Sequence, residues 1–214
     1  MTAELSKDAV TVWLEHFCVE VIAAEFRLNE LDSATGDGEH GSNLSQGAAA
    51  VRALLREREF GDVQEQLSTV AMALVNSVGG ASGALYGAFF LRLSDVGEGR
   101  DALDLARLAD GLGSALAGIR ELGGSAPGDK TMVDAIHPAV TTLQSPDTQA
   151  RGLVEALDCA ATAAEEGRDA TAGMVARMGR GSYLGDRSRG HVDAGATSMA
   201  LLFRCLHAGA EATA

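Results

Sequence analysis

Asp32, Asp37 and Glu39 fall within eight residues of one another in LDSATGDGEHGSN, threaded between Gly36, Gly38 and Gly41. Glycine lets a backbone turn tightly enough for such closely spaced carboxylates to converge. Converging carboxylates repel one another unless a cation lies between them. An all-oxygen ligand set selects a hard ion, Mg²⁺ or Ca²⁺, over zinc or copper. A small Mg²⁺ also keeps open positions for phosphate oxygens, so the segment points to nucleotide chemistry. The plain alternative is a solvated acidic turn.

Two familiar templates fail on this segment. GDGEHG at 36–41 satisfies G-x-G-x-x-G, but that fingerprint needs a preceding strand, and the residues before it have a helical period. It would also set Asp37 and Glu39 against a pyrophosphate with no cation between. An EF-hand loop starting at Asp32 puts Ala34 and Gly36 where oxygen ligands are required, and one starting at Asp37 ends on Ala48 instead of Glu.

The elements that must position these residues read as helices. Val10, Leu14, Phe17, Val21, Ala24 and Leu28 recur in steps of four and three, as do Leu105, Leu108, Leu112, Leu116 and Ile119. Met132, Val133, Ile136, Val140 and Leu143 define another face, which Pro138 should kink or break. Ser145-Pro146-Asp147 reads as an N-cap, a first-turn proline and a first-turn acid, followed by a buried stripe at Ala150, Leu153, Leu157, Ala160 and Ala164. Met199, Leu202, Phe203 and Leu206 close the chain. No alternating run makes a convincing strand, and with three isoleucines and 4% aromatics β-formers are scarce. The fold class is all-α, and the absence of a Pro- or Ser-rich linker makes 1–214 a single domain.

The 26 glycines cluster at 36–47, 79–87, 123–128 and 179–195, where the helical pattern lapses. Glycine-rich loops opening onto helices offer free N–H groups to phosphates, while single glycines serve as C-caps. Gly79, Gly80 and Gly83 are too crowded for capping alone. A formal net charge of −13 argues against nucleic acid or an anionic membrane as partner. Cys18, Cys159 and Cys205 form no CxxC pair and are expected to be buried free thiols in a reducing compartment. No signal region or membrane-length apolar run occurs, so a cytoplasmic location is expected.

Taken in order, GDGEHGSN at 36–43, SVGGASGALYGAFF at 77–90, PGDKTMVDA at 127–135 and GRGSYLGDRSRGHVDAGATS at 179–198 resemble the nucleotide-binding L subunit of bacterial dihydroxyacetone kinases, over essentially the full chain. The resemblance implies an antiparallel barrel of eight helices with ADP or ATP in loops at one end. It implies a pair of Mg²⁺ ions on Asp32, Asp37 and Glu39, the last normally Asp; the extra methylene moves its carboxylate by about 1.5 Å. His40, Gly41, Ser42 and Asn43 would contact phosphate and ribose. Ala81 and Ser82 would give a backbone N–H and a hydroxyl to the phosphates, and Gly123 and Met132 would flank the base, although Met132 reads equally as core. Asp193, Ala194 and Gly195 would close over the nucleotide, with Ala194 where proline is usual. Arg180 and His40 would carry catalysis.

The resemblance further implies that the ketose is held by a separate K subunit, covalently through a histidine, and that the nucleotide is either exchanged or rephosphorylated by a phosphotransferase-system phosphocarrier (M subunit). Erythrulose in place of dihydroxyacetone, a nucleotide sensor acting on a transcription regulator, and a lone metal-dependent hydrolase are the alternatives. Lys130 in GGSAPGDKT mimics a Walker A lysine, but Asp129 intrudes after Gly128 and no strand precedes it, so Asp129 and Lys130 are expected to pair or to cap the next helix. Arg187 and Arg189 could face phosphates or a partner.

Overall fold

A computed structural model describes residues 4–214; residues 1–3 of the expected 1–214 unit lie outside it. α1 (Lys7–Ala23) and α2 (Glu25–Ser33) form one bent rod. Across the bend, Ala24 N donates to Glu20 O and Leu28 N to Ala24 O, each at 2.9 Å. Then come α3 (His40–Glu57), α4 (Val63–Ser77), α5 (Gly80–Ser94), α6 (Leu105–Gly123), α7 (Val133–Gln144), the single turn α8 (Pro146–Gln149), α9 (Leu153–Ala170) and α10 (Ala194–Glu211).

Side-chain oxygens set several of the starts. Ser6 accepts from Ala9 N, Asp62 from Glu65 N, Asp104 from Arg107 N and Asp193 from Ala196 N. Each satisfies one backbone donor that the first turn leaves free.

The packing closes a ring. The α1–α2 rod packs on α3, α3 on α4, α4 on α5, α5 on α6, α6 on α7, α7 on α9, α9 on α10, and α10 returns to α1. With the bent rod counted once and the one-turn α8 set aside, eight helices surround one core. Chain neighbours are spatial neighbours, joined by short links except for the long 171–193 segment between α9 and α10, which makes an up-and-down antiparallel barrel. Trp13, Tyr86, Phe89, Phe90 and Phe203 are fully buried at its centre, each worth roughly 2–3 kcal/mol of transfer free energy. Trp13 Nε1 donates to Leu202 O at 3.0 Å. Gly209 lets α10 close on α1 there, since a Cβ would stand 2.8 Å from Trp13 Cα.

The expected faces are buried, with four corrections. First, Leu5–Ser6 pairs antiparallel with Ala102–Leu103, a two-residue ladder too short to leave an alternating pattern. Second, α7 runs unbroken through Pro138. The proline removes a donor to Asp134 O, and Gly167 of α9 lies against that carbonyl, where a Cβ would come within 2.1 Å. Third, the helix begun at Pro146 ends after one turn; Ala150 is exposed and the buried stripe starts at Leu153. Fourth, Cys159 is only half-buried. Cys18 and Cys205 are buried, which pushes their thiols up to about 12.

Candidate functional site

The loop between α2 and α3 is organised by its first acid. Asp32 Oδ2 accepts from the N–H groups of Gly38 (2.9 Å), Glu39 (3.0 Å) and His40 (3.3 Å), capping α3 from the end of the preceding helix. All three donors go to Oδ2, which leaves Oδ1 for another partner. Gly36 is required here, because a Cβ would stand 2.2 Å from that Oδ1. Gly38 turns the chain with φ of +77°, and Glu39 follows it as the exposed N-cap residue of α3. Asp37 pairs with the Arg180 guanidinium.

Asp32, Asp37 and Arg180 line a cavity of about 250 Å³ where the glycine-rich segments meet. From the second segment come Gly79, Gly80, Ala81, Ser82 and Leu85. α5 starts at Gly80 with no side-chain cap, so its first N–H groups and its positive dipole end are offered to the cavity. Asn43 is accommodated by Gly79, whose Cβ would lie 2.6 Å from Asn43 Oδ1. The third wall is Lys130, Thr131 and Met132, and the fourth includes Ala176, Met178, Gly179, Gly181, Asp193 and Gly195.

His40, 9% exposed, sits beneath this cavity as the first residue of α3. Its Nδ1 is 3.2 Å from Ser82 Oγ and its Nε2 2.9 Å from Ser198 Oγ. Burial lowers its pKa, against the opposing pull of the Asp32 carboxylate, which favours the neutral ring. Asp193 is crowded by protein atoms, and its carboxyl is pushed up to about 6 despite its cap bond to Ala196 N and the nearby Lys130.

Lys130 is 2% exposed and takes a left-handed φ of 63°. Its ammonium donates to Thr171 O (2.6 Å), Met174 O (3.4 Å) and His191 O. Burial lowers its pKa while Asp193 and Asp134 pull it back up. It neither pairs with Asp129 nor caps α7. Asp134 ties that loop, accepting from Gly128 N (2.5 Å) and Thr131 N (2.8 Å), while Asp129 accepts from Ala126 N at 2.7 Å.

The expected residues therefore divide. Asp32, Asp37, His40, Asn43, Ala81, Ser82, Met132, Arg180, Asp193 and Gly195 line one cavity. Five do not. Glu39 is exposed outside it, so two of the three acids meet there instead of three. Among the described residues no three His, Cys, Asp or Glu side chains gather closely enough to hold a metal by themselves. Gly41 lies against α2, where a Cβ would stand 2.1 Å from Glu25 O. Ser42 is tied to Asn29, its N–H donating to Asn29 Oδ1 at 3.0 Å. Gly123 is not part of the cavity wall but lies against Leu85, which is, and Ala194 is buried in the first turn of α10. Met132 is both core and cavity wall. Arg187 and Arg189 lie outside it; Arg189 donates to Gly173 O at 2.8 Å.

The DAK2 domain family matches residues 34–208. The chain belongs to the DAK2 family. It is 36% identical over 208 residues to the ADP-binding subunit of the PEP-dependent dihydroxyacetone kinase of Escherichia coli K12, covering 97% of this chain and 99% of that one. It is 38% identical over 200 residues to the corresponding ADP-binding subunit of kinase 1 of Listeria innocua, covering 94% and 95%. The L-erythrulose 1-kinase of Mycolicibacterium smegmatis is 36% identical over 207 residues, 95% of this chain and 35% of that one. Among solved structures, the C. freundii dihydroxyacetone kinase in complex with AMP-PNP and Mg²⁺ superposes with a TM-score of 0.72 at 26% identity. The match covers 93% of this chain and 33% of that chain, so this DAK2 protein spans about a third of the solved kinase.

Cavity-lining residues of this DAK2 chain that were not expected there include Thr35, Lys130, Thr131, Ala176 and Met178. Thr35 and Thr131 adjoin residues already singled out and were legible by proximity. Lys130 was legible as a residue type but was expected to pair with Asp129 or cap the next helix, not to line the cavity.

Proposed function

We propose that this chain is a single DAK2-type domain serving as the nucleotide-bearing subunit of a two-part dihydroxyacetone kinase. It would move a phosphoryl group from Mg-ATP to dihydroxyacetone held covalently on a separate K subunit. The observation that carries the reading is a cavity that joins the Asp32 and Asp37 carboxylates, an arginine and the uncapped N-terminus of α5. Phosphoryl transfer asks a protein mainly for positioning and charge neutralisation, and these groups supply both.

Asp32 and Asp37 fit a hard cation: both line the cavity, and Asp32 Oδ1 takes none of the backbone donors that cap α3. Magnesium, when bound, neutralises the nucleotide phosphates. The pair of ions implied by the resemblance would also draw on Glu39, whose side chain would have to reach back toward the cavity. The N–H groups of Ala81 and Ser82 would meet phosphate oxygens. Arg180, released from Asp37, would meet charge that develops on the moving group. Asp193 and Gly195 would border the nucleotide from α10, and Met132 would support the base.

The names of the Escherichia coli and Listeria innocua relatives are PEP-dependent. That favours recharging of bound ADP by a phosphocarrier over exchange for fresh ATP. The Mycolicibacterium smegmatis relative keeps a second reading in play, the same chemistry on a tetrulose chosen by the partner. The test mixes the purified chain with a cognate K-type subunit. Mg-dependent ketose phosphate should form only in the mixture. Robust turnover by this chain with Mg-ATP and dihydroxyacetone alone would overturn the two-part reading.

A further inference from the structure

Lys130 lines the cavity, yet the proposed function leaves its side chain without a task. An ammonium has three protons and no lone pair. Here it meets three backbone carbonyls: Thr171 O at 2.6 Å, Met174 O at 3.4 Å and His191 O. With one carbonyl for each proton, none is left for a ligand. The carbonyls belong to the two ends of one segment. Thr171 and Met174 lie where it leaves α9, and His191 lies where it approaches α10. The ammonium thus stands between the two stems as a bound cation would. The stems are also joined directly, Gly190 N donating to Ala172 O at 2.8 Å and Asp193 N to Thr171 Oγ1 at 2.9 Å.

The middle of that segment carries Arg180 to the cavity. Leave aside the ends that flank α9 and α10 and the ion pair of Arg180 with Asp37. Among the described residues, the segment's remaining hydrogen bonds to the rest of the protein go to Asp129 and Lys130: the three at the ammonium, and Arg177 N donating to Asp129 O at 3.1 Å. These two residues stand on a braced turn. Asp134, buried in α7, accepts from Gly128 N on one side of them and Thr131 N on the other. Lys130 is also the non-glycine among the described residues that takes a left-handed φ, 63°. Such a backbone is strained for a lysine and persists where the surroundings over-determine it. We infer that Lys130 is a positioning residue: its ammonium clamps the base of the 171–193 segment to the α7 turn and so holds Arg180 toward the cavity. The part Arg180 plays in transfer rests on the proposed function; the clamp follows from the protein alone.

The clamp is tested first, on nucleotide-free protein. Lys130→Gly suits the left-handed backbone and removes only the side chain. Amide hydrogen exchange over 175–190 should rise about tenfold or more, with α7 and α10 exchanging as in the parent. Adding n-butylammonium chloride, which replaces the missing four-carbon ammonium, should reverse the rise, and sodium chloride at the same concentration should not. Unchanged exchange, or equal reversal by both salts, would overturn the clamp. Positioning is tested with the K-type subunit present. Lys130→Gly should lower kcat about tenfold at an unchanged KM for the ketose, yet cost less than about twofold in an Arg180→Ala background. A full loss that persists without Arg180 would show Lys130 acting on the ligand itself and overturn the positioning role. A parent mixture that forms no ketose phosphate counts against the kinase reading, and the exchange result still decides whether Lys130 holds the segment.

Discussion

Asp37 and Glu39 are two residues apart and chemically alike, yet only Asp37 lines the cavity. Asp37→Asn should therefore reduce Mg-ADP affinity at least tenfold by calorimetry, while Glu39→Asp leaves it within about twofold; equal losses would show both carboxylates in one metal site. Asp37 is exposed and its ion-pair partner among the described residues is a largely exposed arginine, so the fold should lose less than about 1 kcal/mol. Asp193 supplies a pH test. Its folded pKa, about 6, lies above the ordinary carboxylate value. The neutral form is the one the fold favours, so its stabilisation is complete below the unfolded pKa and is lost as pH rises through the folded one. Asp193→Asn keeps an acceptor for Ala196 N and removes the charge. Without nucleotide it should match the parent's melting temperature near pH 4 and exceed it above pH 6.5, by about 1 kcal/mol once solvent screening is allowed for. A constant difference across that range would remove Asp193 as the titrating group.

Among the elements, the 171–193 segment has little regular structure beyond two 3₁₀ stretches, Thr171–Gly173 and Arg180–Ser188. It is pinned from across the cavity by one ammonium. Lys130→Met should strip the carbonyls of Thr171, Met174 and His191 of their buried donor, costing about 2–3 kcal/mol. Limited proteolysis should then cut within 174–192 before any helix, with helical circular dichroism unchanged; cleavage no faster than in the parent would dismiss the latch. The helices themselves were legible because a buried face repeats every three or four residues, as at Leu105 to Ile119. Lys130 was not, because its carbonyl partners lie 41 to 61 residues away and leave no spacing signal. The loss of Glu39 from the cavity was hidden for a similar reason, since it depends on the left-handed turn at Gly38. The helix begun at Pro146 was misjudged in length because its single turn gives way at Gly152, which the apolar stripe alone does not mark.

At the scale of the whole molecule, the charge of −13 bears on association. A partner docking over the cavity should carry a basic rim, and the rate of complex formation should fall as salt rises from 50 to 300 mM; a salt-independent rate would place the contact on apolar surface. The geometry of the ring has one more effect. α10 begins at the cavity and runs 18 residues, so its far end is about 27 Å away. Gly209, near that end, touches Trp13 in the second turn of α1, which places the start of α1 at the same remote pole. Both described ends of the chain thus emerge on the side away from the ligand mouth. Tethering this barrel to another polypeptide at either end leaves the mouth facing outward, free to meet a substrate-bearing surface, with tether length setting how often the two meet.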